Sequence, residues 1–280
     1  MAKLGLGLGL LALVGVSLPL YDRVFGRQRL RFPYMTRALS SAEYKTLSEQ
    51  PGWSKSELSV APGVTLRGLA RRPQADGAPW VLFYPGNSFT QLRTGQQFLT
   101  RLADGRDWGL AVYAYRGFDA SDGKPSHAAL ALDAPQVLER LCQAEHVPAA
   151  RVHIMGFSIG GHFAVYAARG AAQRQAPAAS LTLLASVDDI VMLQNTPWQK
   201  LSAGDDYQTR PLLPEVPAPV LVLQGTRDEA LAGAGQGRAI AEALGPRGEY
   251  REFEGVGHEA LLSFEPALAA ARQFVERNAK

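Results

Sequence analysis

Residues 152–164 read VHIMGFSIGGHFA, and this stretch decides the fold. Val152, Ile154 and Met155 form an apolar, largely β-branched run that breaks at Gly156-Phe157-Ser158-Ile159-Gly160 and gives way to a helix-compatible segment containing Ala and Tyr. The order is strand, sharp turn, helix, with a serine at the apex. A side chain on so tight a turn needs small neighbours, because strand and helix must approach closely beside it. Gly156 and Gly160 meet that need, and Gly161 extends it. The turn lifts the Ser158 hydroxyl clear of the sheet. It also sets the N–H of Ile159, at the start of a helix, where charge developing on a reacting oxygen can be held. The bare pattern G-x-S-x-G recurs by chance in many chains. Its place between strand and helix gives it weight over a plain Gly/Ser turn.

The segments on either side alternate. Residues 80–84 (WVLFY) are an apolar run of the kind buried on both faces of a parallel sheet, and they end at Pro85-Gly86-Asn87-Ser88. A helix is expected over 91–102, a strand over 109–115, and another helix before the serine turn. Further strands follow at 181–185, 220–224 and 250–253, with helices around 236–244 and 260–275. Two short strands at 57–60 and 64–70 precede them, joined by a Pro62-Gly63 hairpin turn. This alternation predicts an α/β chain with a doubly wound, mostly parallel sheet. Residues 186–217 break the rhythm with Asp188, Asp189, Trp198 and a proline-rich exit, and are expected to form a small lid insertion over an open pocket. No internal repeat is visible.

With 280 residues and 46% hydrophobic content, the chain can build one sizeable core. Its net charge is +3 and its basic residues are dispersed, which argues against nucleic acid as a partner. Cys142 is the single cysteine, so no intrachain disulfide and no cysteine-built metal site can form; a buried thiol on a helix is expected. No His pair has metal-ligand spacing, and neither a metal nor an organic cofactor is implied.

Residues 4–20 are an uncharged apolar run between Lys3 and a group of charges that includes Arg23, Arg27, Arg29 and Arg31. They are expected to anchor the chain in a membrane by its N-terminus, with residues 1–22 as anchor or signal segment. A cleaved signal peptide, giving a secreted or periplasmic protein, is the alternative, although no clear cleavage site follows. The side of the membrane stays open, because more basic residues follow the segment than precede it. Residues 23–56 are polar and read as an irregular connection to a domain over 57–280.

A serine hydroxyl is a weak nucleophile at neutral pH and needs an adjacent base, itself held by a carboxylate. His258 lies in Glu254-Gly255-Val256-Gly257-His258, a glycine-flanked loop after the last strand, and is the candidate base. His127, His146, His153 and His162 fall on helices, helix ends or a strand. The candidate acid is Asp228, which follows a strand through Gly225-Thr226-Arg227 and so stands at the carboxyl edge of the sheet. Glu229, Asp188 and Asp189 are alternatives. A second donor to the oxyanion, beside Ile159, must come from the turn after residues 80–84, where Asn87 offers its N–H.

Taken together, Ser158, Asp228 and His258 occur in the order found in the α/β-hydrolase superfamily, which the chain resembles. The similarity runs from about residue 57 to the C-terminus. Tyr84-Pro85-Gly86-Asn87, Ala114-Tyr115-Arg116-Gly117-Phe118 and Asp122-Gly123-Lys124-Pro125-Ser126 are similar to signatures of membrane-anchored hydrolases related to the serine aminopeptidase-type and depalmitoylase-type proteins. Many relatives carry His-Gly where this chain has Pro85-Gly86, and proline has no N–H. The resemblance implies Ser158 as nucleophile, His258 as base and Asp228 as acid in hydrolysis of an ester or thioester of a small-molecule or acylated substrate. Arg116 and Gly117 are expected to shape a loop behind the site. Two rival readings are an aminopeptidase or amidase, using Asp188, Asp189, Asp205 or Asp206 for the substrate ammonium, and a binding protein that keeps the fold without the chemistry.

Overall fold

The computed structural model describes residues 34–88, 90–189 and 207–279. Among them eight strands make one sheet: β1 (Trp53–Ala61), β2 (Val64–Arg71), β3 (Trp80–Tyr84), β4 (Gly109–Tyr113), β5 (Val152–Phe157), β6 (Ser180–Leu184), β7 (Val220–Gly225) and β8 (Gly248–Phe253). Their order across the sheet is β1-β2-β4-β3-β5-β6-β7-β8. β1 pairs with β2 and β2 with β4 antiparallel, and every later pairing is parallel. This is the expected α/β architecture, a mostly parallel, doubly wound sheet. Every residue of β3, β4, β5, β6 and β7 is buried, as strands covered on both faces require.

The described α-helices are α1 (Ser41–Ser48), α2 (Gln91–Ala103), α3 (His127–Ala144), α4 (Ile159–Gln173), α5 (Gly235–Leu244) and α6 (Glu265–Asn278). α2 packs with α6, and α3 with α4. The chain leaves β3 for β4 on one side and returns to β5 on the other, so the strand order reverses beside β3. A crevice outside the carboxyl ends of the strands opens at such a reversal. Asn87 follows β3, Ser158 follows β5, Asp228 follows β7 and His258 follows β8, so all four reach that edge.

Several local expectations need correction. Residues 41–48 are not irregular: Ser40 and Glu43 form a capping box at the start of α1, and Tyr44 and Leu47 are buried. Tyr44 donates its hydroxyl to the Gly68 carbonyl at 2.8 Å, which ties α1 to β2. β1 begins at Trp53, itself buried. β4 stops at Tyr113: Ala114 N–H still reaches the Arg67 carbonyl of β2, but Tyr115 N–H turns away to the Gln91 side chain. The helix expected over 260–275 is a 3-10 turn (Glu259–Ser263) followed by α6, whose first turn takes Pro266. Cys142 is half-buried rather than buried, and burial pushes its thiol up to about 11.

The apolar segment at 4–20 and the centre of the lid expected over 186–217 lie outside the described residues. Among the described residues, no helix is long and apolar enough to cross a membrane.

The start of α2 is capped from a distant loop. Thr90 makes no side-chain cap bond, and the Asp119 carboxylate instead accepts the Leu92 N–H at 2.7 Å. Burial pushes this carboxyl up to about 6. A folded-state pKa above the unfolded value of about 3.9 means that the group's contribution is full below that value and lost as pH rises through about 6. Wild type is therefore expected to gain thermal stability relative to Asp119→Asn as pH falls from 7 to 5. Asparagine tolerates the positive φ of this position (46°), so the comparison isolates charge. A Tm difference flat across that range would refute the assignment.

Candidate active site

Ser158 occupies a backbone conformation that L-residues rarely adopt, with φ 55° and ψ −125°. Such a residue costs on the order of 1–3 kcal/mol and persists where its surroundings over-determine it. Here Ser158 N–H donates to the Leu184 carbonyl at 3.0 Å, and Ser158 C=O accepts from Gly161 N–H at 3.0 Å and Val187 N–H at 3.2 Å. A Cβ on Gly160 would lie 2.1 Å from the Tyr84 carbonyl oxygen, and one on Gly156 would lie 2.4 Å from the Gly160 oxygen. The flanking glycines are thus required by close approach, as the sequence predicts.

Asp228 is buried and accepts three hydrogen bonds. Oδ1 takes the Leu231 N–H at 2.8 Å, while Oδ2 takes Gln224 Nε2 at 2.8 Å and His258 Nδ1 at 2.8 Å. A carboxylate only accepts, so the proton between it and the ring belongs to Nδ1, which leaves Nε2 as the basic nitrogen. The His258 ring packs against Phe157, with centroids 4.7 Å apart. Ser158 and His258 line one cavity of about 400 Å³, together with Pro85, Gly86 and Asn87. No hydrogen bond joins Ser158 Oγ to the ring among the described residues; nucleophile–base bonds are often long without substrate and tighten in the complex.

Ile159 is the first residue of α4, so its N–H is one of those that a helix leaves without an intrahelical acceptor. The turn after β3 presses against Ser158: a Cβ on Gly86 would lie 3.3 Å from Ser158 Cβ. Two residues hold that turn. Gln91, fully buried, donates Nε2 to the Gly86 carbonyl at 3.0 Å and accepts the Tyr115 N–H at 3.0 Å. Tyr115 donates its hydroxyl to the Pro85 carbonyl at 2.7 Å. The Pro85 carbonyl thus serves as an acceptor that anchors the turn. Asn87 Oδ1 accepts the Met35 N–H at 2.7 Å, which fixes the residue after the turn.

The alternative acids are placed elsewhere. Asp188 pairs with Arg210 at 2.7 Å, and Glu229 Oε2 lies 3.4 Å from the backbone N–H of His258 rather than at its ring. Asp189 donates its N–H to Gln236 Oε1 at 2.9 Å, and Asp205 and Asp206 lie outside the described residues. Arg116 pairs with Asp133 through both its Nε and Nη2, so it braces the loop behind the site as expected.

Sequence reading missed Gln91 and Gln224, two buried glutamines: Gln91 ties Gly86 to Tyr115, and Gln224 donates to Asp228 four residues on. It also missed a histidine pair. His127 Nε2 and His162 Nε2 are 2.9 Å apart, and His162 Nδ1 lies 2.9 Å from Thr209 Oγ1. The Thr209 hydroxyl donates to the Val187 carbonyl at 2.6 Å, so His162 donates from Nδ1 and His127 from Nε2. His153 is buried beside Ser180 at 2.8 Å, and burial pushes it down to about 4. Among the described residues, no group of three or more His, Cys, Asp or Glu could hold a metal ion.

No family model matches the chain. An uncharacterized protein of Mycobacterium tuberculosis is 31% identical over 210 residues, which span 72% of this chain and 71% of that protein. An alpha-beta hydrolase from Vibrio vulnificus superposes with a TM-score of 0.68 at 20% identity, covering 94% of this chain and 92% of its own. A Pyrococcus furiosus esterase does so with a TM-score of 0.64 at 15% identity, covering 88% and 97%. With this sheet order and these neighbours, the chain has the α/β-hydrolase fold.

Proposed function

We propose that the protein is a serine hydrolase that cleaves carboxylic esters or thioesters through an acyl-enzyme. Ser158 attacks the carbonyl while His258 takes its proton at Nε2. The same nitrogen returns that proton to the leaving group, then activates the water that releases the acyl chain. Asp228 keeps the ring in the reactive tautomer and offsets its charge when protonated. The N–H groups of Ile159 and Asn87 receive the oxyanion. The observation that carries this reading is His258, paired with Asp228 at 2.8 Å and lining one cavity with a serine on a strained turn. The aminopeptidase reading loses Asp188 as an ammonium partner, because that carboxylate is committed to Arg210. The apolar run at residues 4–20 would tether this site to a membrane and to acylated substrates there.

Labelling with a fluorophosphonate probe tests the proposal. Wild type is expected to be labelled and Ser158→Ala to remain unlabelled. A folded wild type that stayed unlabelled would move the non-catalytic binding protein to the front.

A further inference from the structure

The catalytic cavity extends well past the serine, and one wall of it is a helix face. Thr94, Gln97 and Arg101 of α2 line it, spaced three and four residues apart and so on one side of the helix. The face begins at Thr90, beside the turn after β3, and reaches Arg101 about 16 Å away at 1.5 Å per residue. The apolar lining is Phe83, Phe98, Phe157 and Leu262, all buried, with Phe83 and Phe98 rings 4.6 Å apart. The space therefore runs from the reacting serine along a polar rail that ends in a guanidinium.

The carboxylates around Arg101 are engaged elsewhere. Asp104 and Glu276 pair with Arg106, and Glu265 pairs with Arg272. Glu259 lines the same cavity, yet Arg101 makes no ion pair with it or with any other described carboxylate. The Arg101 carbonyl accepts from Arg272 Nη1 at 3.4 Å, which fixes this end of the helix. Arg101 stands exposed at the end of this groove, and an arginine without a carboxylate of its own suits planar anions, which it can bind in two-pronged fashion.

We propose that the distal end of the cavity is an anion subsite, in which Arg101 binds a carboxylate or phosphate carried by the ester substrate. The assignment rests on the serine-hydrolase reading and adds the substrate class to it. The test compares p-nitrophenyl octanoate with two charged counterparts. Mono-p-nitrophenyl octanedioate carries the anion on the acyl chain, and the octanoyl ester of 3-carboxy-4-nitrophenol carries it on the leaving group. In wild type, one charged ester is expected to exceed the uncharged one in kcat/KM about tenfold, mostly through KM. That is the low end for a hydrogen bond to a charged group at a site open to solvent. Arg101→Gln is expected to erase the ratio and Arg101→Lys to keep part of it.

A ratio unchanged by Arg101→Gln, or no preference for either charged ester, would overturn the subsite while leaving the hydrolase reading intact. The converse is separable by calorimetry of monomethyl octanedioate binding to Ser158→Ala. Arg101-dependent binding there, beside a wild type that cleaves no ester, would uphold the subsite and remove the hydrolase. Neither binding nor preference would remove the subsite.

Discussion

Asp228→Asn is expected to lower kcat for an activated ester by about 10⁴-fold, the scale at which loss of the orienting carboxylate disables a serine triad. The hydrogen bonds explain why so small a change does so much. Asp228 accepts three donors with its two oxygens, Leu231 N–H at one and Gln224 Nε2 with His258 Nδ1 at the other. Asparagine has one acceptor and one donor end. If its oxygen stays with Leu231, the amide NH₂ faces His258 and drives the ring proton to Nε2, so the base is lost. If its oxygen turns to His258, the NH₂ faces the Leu231 N–H and leaves a buried donor unpaired, costing about 1–3 kcal/mol. Steady-state kinetics and thermal unfolding should be measured together, with Asp188→Asn beside it. That variant breaks only the pair with Arg210 and is expected to change kcat less than tenfold. Equal losses in the two would show the acid to be misassigned.

Gln91→Leu should lower kcat by about 10²-fold with little change in KM. Removal of one oxyanion donor costs about 10²–10³, and Gln91 positions the turn that supplies Asn87. Leucine nearly conserves volume but strands the Gly86 carbonyl and the Tyr115 N–H, both partnered by the glutamine. Each buried orphan costs about 1–3 kcal/mol, so Tm is expected to fall as well. Gln91→Glu separates position from bulk. It keeps the acceptor for Tyr115 and loses the donor to Gly86, so its kcat should fall between wild type and leucine. Unaltered kcat in the leucine variant, with Tm reduced, would confine Gln91 to a structural role.

These two residues mark how far the sequence could be read. Asp228 was legible as a candidate because a strand and a short loop lead directly to it, and His258 because glycines flank it after the last strand. Both signals are local, as is the serine turn. Gln91 carries no such mark: its meaning lies in Gly86 and Tyr115, which only the fold brings to it. The pairing of His127 with His162 is hidden in the same way, since the two lie on different helices. The strand cores at 80–84 and 220–224 were plain because burial on both faces leaves an unbroken apolar run. Errors gathered where competing signals meet. A capping box at Ser40 and Glu43 starts a helix inside a polar stretch, and Pro266 splits a run whose apolar spacing suggests one continuous helix.

The insertion between β6 and β7 is clasped at its base. Asp189 bridges Gln208, Thr209 N–H reaches the Asp188 carbonyl at 2.8 Å, and Thr209 is bound to His162 on the helix behind Ser158. The two ends of the insertion are thus joined by contacts of their own, close to the sheet. Doubling a loop closed in this way costs only about 0.6 kcal/mol. A longer connection between Asp189 and Gln208 is therefore expected to leave stability nearly unchanged. On the hydrolase reading, this junction is a place where substrate preference can change while the sheet stays fixed.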